Sequence, residues 1–300
     1  MANKPIIVPL DGSDLSETAL PYAVVLAKAT QAGLLLVTVW EGAEEILAST
    51  LPELADDLFK RGEEHYEGYL TGVARTIQAQ GVKTEAQVIV GHPVGEILKL
   101  VRERDASMLA LSTHGRSGLS RWVYGSVAGK LIRESNVPTL LVGPRLLEAK
   151  APPAITRILV PLDASELSET ALAPAVDLAG ALGADLVLAQ VLNWATHAFV
   201  FGVPDIDTAM IDRELTKASE EYLARVKSGL QTKRSVKTRV LRGMAADALI
   251  ELVENEQVGL VVMATHGRAG IARTALGSVA DRMTQGPAPV LLVRPPHDGE

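Results

Sequence analysis

The feature that most constrains the fold of this chain is an internal repeat. The segment IIVPLDGSDLSETAL, which begins at Ile6, recurs as ILVPLDASELSETAL, which begins at Ile158. The same displacement of 152 residues (158 − 6) relates STHGRSG to ATHGRAG, and the GSVA of Gly125 to that of Gly277. Self-similarity of this kind indicates a tandem duplication of one domain. A chain of 300 residues has room for two domains of ordinary size.

A short proline-containing stretch, GPRLLEAKAPPA, separates the two copies. Proline restricts its own backbone and that of the residue before it, which suits a semi-rigid linker. The predicted division is domain 1 at residues 1–146, a linker at 147–154, domain 2 at 155–296 and a tail at 297–300.

Within each copy, short aliphatic segments alternate with amphipathic ones. In the first copy the predicted strands are 6–10, 34–40, 87–90, 108–111 and 139–142. The predicted helices are 16–31, 53–80, 94–103 and 126–134. This alternation predicts an α/β fold in which helices cover both faces of a parallel sheet. Pro9 and Pro161 fall where proline would remove a ladder donor, which favours a strand end or bulge beside a site.

Two polar segments follow predicted strands and form the candidate site. Asp11 comes directly after the first strand, and a glycine-containing loop after the fourth strand leads to Gly125 and Ser126. Ligands of open parallel sheets bind outside the carboxyl ends of the strands, where the strand order reverses. A helix that begins at Ser126 would offer backbone N–H groups and its positive dipole end to a phosphate. The alternative for both Asp11 and Ser126 is a helix cap without a ligand.

Composition removes several classes of function. The net charge of −7 disfavours nucleic acid as a partner, and the absence of cysteine excludes thiolate catalysis, disulfides and cysteine metal sites. No signal peptide and no membrane span are predicted, and a cytoplasmic location is expected. GSVAGK at Gly125 is not a P-loop, because three residues separate its glycines and Leu131 follows its lysine.

These motifs resemble the universal stress protein family. The VPLDGS opening and the closing segments THGRSGLSRWVYGSVAGKLI and ATHGRAGIARTALGSVADRM carry the resemblance, once in each copy. It implies two tandem Rossmann-like domains of the adenine nucleotide alpha hydrolase-like type, each an open five-stranded sheet of order 3-2-1-4-5. It also implies ATP as the ligand, with or without Mg²⁺, and association through the last strand. We therefore expect the closing strands 139–142 and 289–293 to pair within the chain, and two chains to associate by further contacts into a homodimer of four domains.

The resemblance also assigns residues to the nucleotide. In ATP-binding members the motif reads Gly, two residues, Gly, nine residues, Gly, then Ser or Thr, and here Ser112 and Ala264 replace the first glycine. In domain 1 the implied nucleotide-binding residues are Pro9, Asp11, Val39, Ser112, His114, Gly115, Arg116, Gly125, Ser126 and Val127. In domain 2 they are Pro161, Asp163, Val191, Ala264, His266, Gly267, Arg268, Gly277, Ser278 and Val279.

The expected function is therefore that of a nucleotide-binding regulator in the stress response, with at most slow ATP hydrolysis. No catalytic residue is assigned, and no metal site formed by protein side chains alone is expected. The two histidines of the closing loops are interpreted as polar groups near the phosphates rather than general bases. Two alternatives remain open: an ATP-consuming enzyme of the related fold, and a nucleotide-free dimerisation module. The sequence does not indicate a protein partner.

Overall fold

The computed structural model describes residues 4–40, 52–113, 124–146, 154–192, 208–265 and 276–294, with only the backbone at 52–59. The chain divides into two compact units, Met1–Pro152 and Pro153–Glu300.

In the first unit, strands and helices alternate along the chain. The elements are β1 (Ile6–Pro9), α1 (Asp14–Glu17), α2 (Leu20–Thr30), β2 (Leu34–Trp40), α3 (Pro52–Gln78), β3 (Thr84–Val90), α4 (Pro93–Glu103), β4 (Met108–Ser112), α5 (Ser126–Glu134) and β5 (Thr139–Val142), followed by a 3₁₀ turn (Pro144–Leu146).

The second unit repeats this order. Its elements are β6 (Arg157–Pro161), α6 (Glu166–Glu169), α7 (Leu172–Leu182), β7 (Asp185–Leu192), α8 (Thr208–Gly229), β8 (Val236–Arg242), α9 (Ala245–Asn255), β9 (Leu260–Ala264), α10 (Ser278–Met283) and β10 (Val290–Val293).

Each unit contains a parallel sheet with the predicted strand order. In the first unit β1 pairs with β2 on one side and β4 on the other, while β3 and β5 lie outside them. In the second unit β6 pairs with β7 and β9, with β8 and β10 outside. The α/β fold class and its tandem repetition are therefore confirmed, and the strand order reverses between β1 and β4 and between β6 and β9.

The central strands are buried on both faces, which explains their uninterrupted aliphatic sequences. Ile7 and Val8 in β1 are fully buried, as are Leu159 and Val160 in β6. Both prolines of the VPLD motifs end their strands, at Pro9 and Pro161, so the expectation of a strand end is confirmed.

The single helix predicted at 16–31 is wrong, because the structure divides this segment into α1 and α2. Ser13 caps α1, and Pro21 lies in the first turn of α2. Proline has no N–H to donate to the carbonyl four residues earlier, so a continuous helix would lose a hydrogen bond there. Pro174 has the same effect between α6 and α7.

Some predicted boundaries shift by a few residues. The third strand was expected to begin at 87 and begins at Thr84, where polar side chains hide the strand pattern. Within the described parts of the chain, no helix is both long and apolar enough to cross a membrane.

Candidate functional site

A cavity of about 310 Å³ opens at the carboxyl ends of β1, β2 and β4 in the first unit. This volume lies at the lower end of the range of small-molecule sites. The cavity sits where the strand order reverses, which is the position that an open parallel sheet offers to ligands. Its lining residues are Pro9, Leu10, Asp11, Ser16, Val37, Val39, Pro93, Ile97, Leu111, Ser112, Gly125, Ser126, Val127, Ala128 and Leu131.

The lining is apolar on one side and polar on the other. Val37 and Val39 alternate along β2 and therefore share one face of the sheet, and Ile97 of α4 adds to this apolar wall. Asp11, Ser16 and the start of α5 supply the polar groups. A cavity of this kind suits a ligand that joins a flat apolar group to a polar or anionic one.

Asp11 is held in a tight hydrogen-bonded turn. Its Oδ1 accepts from the Ser13 backbone N–H at 3.0 Å and from the Ser13 hydroxyl. Ser13 Oγ in turn accepts from the Ser16 N–H at 3.2 Å and caps α1. The cap of this helix is thus Ser13, so the alternative that Asp11 is itself a helix cap is wrong. Asp11 instead fixes the loop and lines the cavity.

The second unit builds the same turn. Asp163 Oδ1 accepts from the Ser165 N–H at 3.0 Å and from the Ser165 hydroxyl, and Ser165 Oγ accepts from the Ser168 N–H at 3.2 Å. The intervening residue has a positive φ in both units, 79° at Gly12 and 64° at Ala164. The loop therefore keeps its shape although the second unit lacks the glycine.

We expect Ala164→Gly to stabilise the second unit by about 0.5–1 kcal/mol. The left-handed conformation costs an alanine about 1–2 kcal/mol, of which the greater chain entropy of unfolded glycine cancels about 0.5–1 kcal/mol. Urea unfolding measures the change, and Gly12→Ala is the matched reverse substitution, which should destabilise the first unit by a similar amount. Equal stability of all three proteins would contradict this account of the loop.

The start of α5 forms another side of the cavity. Gly125 is its N-cap, with φ −50° and ψ 149°, and no side-chain hydrogen bond caps the helix. Gly125 N–H donates to the Thr113 carbonyl at 3.3 Å, and the corresponding bond from Gly277 to Thr265 is 3.0 Å. Ser126 is the first residue of the helix and not its N-cap, so the capping alternative for this serine is also wrong.

A tyrosine on the long helix braces the Asp11 loop, and the sequence analysis did not identify it. Tyr69 in α3 donates from its hydroxyl to Glu17 Oε1 at 2.7 Å, and Tyr222 in α8 donates to Glu169 Oε1 at 3.0 Å. Burial raises the pKa of each tyrosine, and the hydrogen bond to the glutamate and its charge raise it further. Both hydroxyls therefore remain protonated donors at neutral pH.

The structure brings together seven of the ten residues assigned to the first site. Those that line the cavity are Pro9, Asp11, Val39, Ser112, Gly125, Ser126 and Val127. His114, Gly115 and Arg116 lie outside the described residues. Sequence reasoning missed Val37, whose spacing of two from Val39 in a strand was a usable signal, and residues of α4 such as Ile97, for which the sequence offers none.

In the second unit the assigned residues occupy equivalent elements. Pro161 ends β6, Val191 lies in β7 and Ala264 ends β9. Gly277 is the N-cap of α10, and Ser278 and Val279 form its first turn. His266, Gly267 and Arg268 lie outside the described residues.

The fold and the site define a class: tandem, doubly wound α/β domains, the first of which has a cavity at its topological switch point. The model of the universal stress protein family matches residues 2–143 and again 154–294. The chain therefore belongs to the universal stress protein family.

The chain is also similar to individual relatives and to solved structures. The universal stress protein Mb2019 of Mycobacterium bovis is 30% identical over 99% of this chain and 96% of its own length. The crystal structure of a universal stress protein from Archaeoglobus fulgidus matches 98% of this chain and 99% of that chain, with 22% identity and a TM-score of 0.69. A universal stress protein solved in complex with cAMP matches 48% of this chain and 98% of its own, with 26% identity and a TM-score of 0.32.

Proposed function

We propose that each domain binds an adenine nucleotide, with ATP as the ligand, and that the chain acts in the cytoplasm as a stress-response regulator through binding. The observation that carries this proposal is the cavity of the first unit, which joins an apolar wall to Asp11 and to a helix N-terminus without a side-chain cap. A nucleotide has the same division into an apolar base, a hydroxylated sugar and an anionic phosphate chain.

The lining residues fit the three parts of such a ligand. Pro9, Val37 and Val39 offer apolar surface to the base. The Asp11 carboxylate lines the cavity and suits ribose hydroxyls as a hydrogen-bond acceptor. The backbone N–H groups at the start of α5 and the Ser126 hydroxyl suit phosphate oxygens. Mg²⁺, which proteins usually bind together with nucleotide phosphates, belongs to the same proposal.

Binding is favoured over turnover by the chemistry of the lining residues. Rapid phosphoryl transfer needs a positioned nucleophile together with cationic groups on the transferring phosphate. Among the residues that the structure describes, those that line the cavity include no lysine, arginine or histidine. Arg116 and Arg268, which the resemblance places near the phosphates, lie outside the described residues.

The second site differs in detail from the first. Residues equivalent to Val37, Leu111 and Ser112 by the displacement of 152 are Ala189, Met263 and Ala264. Alanine in place of valine removes two methyl groups, alanine in place of serine removes a hydroxyl, and methionine in place of leucine exchanges a branched side chain for an unbranched one. We therefore propose that the two sites bind the nucleotide with different affinities.

Titration calorimetry on nucleotide-stripped protein tests the proposal. We expect the stoichiometry of ATP binding to approach two per chain. Parallel titrations with cAMP, ADP and AMP compare their affinities with that of ATP. No heat and no saturation with any of the four nucleotides would overturn the proposal. A phosphate-release assay on the same samples covers the enzyme alternative, which many turnovers per second would favour. We also propose that two chains form a homodimer, which light scattering with and without ATP tests.

A further inference from the structure

A chain of polar contacts connects the wall of the cavity to the long helix α3, and its equivalent in the second unit ends on α8. We propose that Tyr69 and Tyr222 are positioning residues for the two ligand sites. Each hydroxyl, through its bond to Glu17 or Glu169, fixes the Asp-Ser loop in the geometry that the ligand requires. This inference rests on the proposed nucleotide binding.

Hydrogen bonds connect helix α3 to the cavity through Glu17 and Ser16 of α1. The Tyr69 hydroxyl donates to Glu17 Oε1 at 2.7 Å. Glu17 follows Ser16, which lines the cavity and whose hydroxyl donates to the Ser13 carbonyl at 2.8 Å. The same Ser16 oxygen accepts from the Asp11 backbone N–H at 3.3 Å. A displacement of α1 would therefore move Asp11 directly.

Tyr69 and Glu17 would act on the site indirectly, through the loop that lines it. Neither residue is among those that line the cavity. The loop nevertheless affects the pKa of Tyr69. The Ser16 hydroxyl lowers this pKa, and the negative charge of Asp11 raises it. The geometric connection between Tyr69 and the loop is the series of hydrogen bonds at Glu17 and Ser16.

Both units contain the hydrogen bond between tyrosine and glutamate, although the spacing between these two residues differs by one position. Glu17 and Glu169 are 152 residues apart (169 − 17), whereas Tyr69 and Tyr222 are 153 apart (222 − 69). The distance along the chain to the next strand differs by one residue in compensation. Buried Leu70 precedes the start of β3 by 14 residues (84 − 70), and buried Leu223 precedes the start of β8 by 13 (236 − 223). The long helix is thus displaced by one position in sequence, yet its tyrosine meets the same glutamate.

The surroundings of the two tyrosines predict a graded effect. The Arg225 guanidinium lies 5.3 Å from the ring centroid of Tyr222, so a cation–π contact also holds this ring. The residue at the equivalent place beside Tyr69 is Gly72 (225 − 153). The hydroxyl should therefore matter more for the first site than for the second.

The test compares ATP affinities of hydroxyl-deleted variants. We expect Tyr69→Phe to weaken ATP binding at the first site fivefold or more, the lower end of typical coupling between linked groups. Tyr222→Phe should weaken the second site by a smaller factor. Tyr22→Phe is the matched control, because the buried Tyr22 hydroxyl has no hydrogen-bond partner among the described residues and is not among those that line the cavity. Its ATP affinity should equal that of the unmodified protein.

Two further measurements separate positioning from general stability. Glu17→Gln keeps an oxygen acceptor for Tyr69 and should bind ATP nearly as well as the unmodified protein, whereas Glu17→Ala should match Tyr69→Phe. Combining Glu17→Ala with Tyr69→Phe should weaken binding no further. In protein labelled with ¹³C at Cζ of its five tyrosines, ATP should shift the Tyr69 and Tyr222 resonances and leave that of Tyr22 in place.

The outcomes are distinct. An ATP affinity of Tyr69→Phe equal to that of the unmodified protein overturns the inference while leaving nucleotide binding intact. Equal weakening by Glu17→Gln and Glu17→Ala overturns it as well, because the effect would then belong to the carboxylate charge. If the unmodified protein itself binds no nucleotide, the proposed function fails instead.

Discussion

Valine in place of Gly125 is expected to weaken ATP binding at the first site by about 100-fold or more while leaving the domain folded. Gly125 lines the cavity and begins α5, so a branched side chain there would compete with the phosphates for space. The backbone of Gly125, at φ −50° and ψ 149°, is accessible to any L-residue. A 100-fold loss corresponds to about 2.7 kcal/mol of binding free energy.

The repeat supplies an internal control for this experiment. Gly277→Val should block only the second site, since Gly277 is the N-cap of α10 with a similar extended backbone, φ −60° and ψ 144°. Each single variant should therefore retain one site in calorimetry, and the double variant none. Gly125→Ala should give an intermediate loss. A folded double variant with unchanged affinity would show that the helix N-termini do not hold the phosphates.

Replacement of Asp11 is expected to separate its role in the loop from its role toward the ligand. Asp11→Asn keeps an oxygen that can accept from the Ser13 N–H and hydroxyl, but it removes the charge. We expect the loop to survive and the ATP affinity of the first site to fall about 10- to 100-fold. A hydrogen bond to a charged group contributes about 1.5–3 kcal/mol, which agrees with that range.

Asp11→Ala removes the acceptor as well and should also lower the free energy of unfolding by about 2 kcal/mol. Urea unfolding without nucleotide and calorimetry with ATP measure the two effects on the same samples. Asp163→Asn is the matched variant for the second site. If Asp11→Asn binds ATP as the unmodified protein does, Asp11 serves the loop alone and the ribose assignment is wrong.

The fold was predictable from the sequence wherever a pattern extends over a whole element. The repeat fixed two domains, aliphatic segments such as Leu34–Trp40 located strands, and the helix expected at 126–134 begins and ends at Ser126 and Glu134 as observed. Strong periodicity and flanking turn residues act locally, so they can be recognised without knowledge of tertiary contacts.

The features that were missed depend on contacts between distant parts of the chain. The bond between Tyr69 and Glu17 joins residues 52 positions apart, and no local pattern indicates which exposed-looking glutamate a helix tyrosine will meet. The cavity wall formed by Ile97 likewise depends on how α4 packs against the sheet. The break between α1 and α2 could have been predicted from the sequence, because Pro21 indicates the start of a new helix.

The turn around Asp163 has a consequence for recognising such sites in other sequences. Since an alanine occupies the left-handed position there, the glycine of the opening motif is dispensable, whereas the aspartate and the two serines make the same hydrogen bonds in both units. A search pattern that requires D-G-S would overlook the second domain. The pattern D-x-S-x-x-S-E describes the hydrogen-bonded residues themselves, and a distant helix tyrosine that reaches its final glutamate would complete a signature based on contacts.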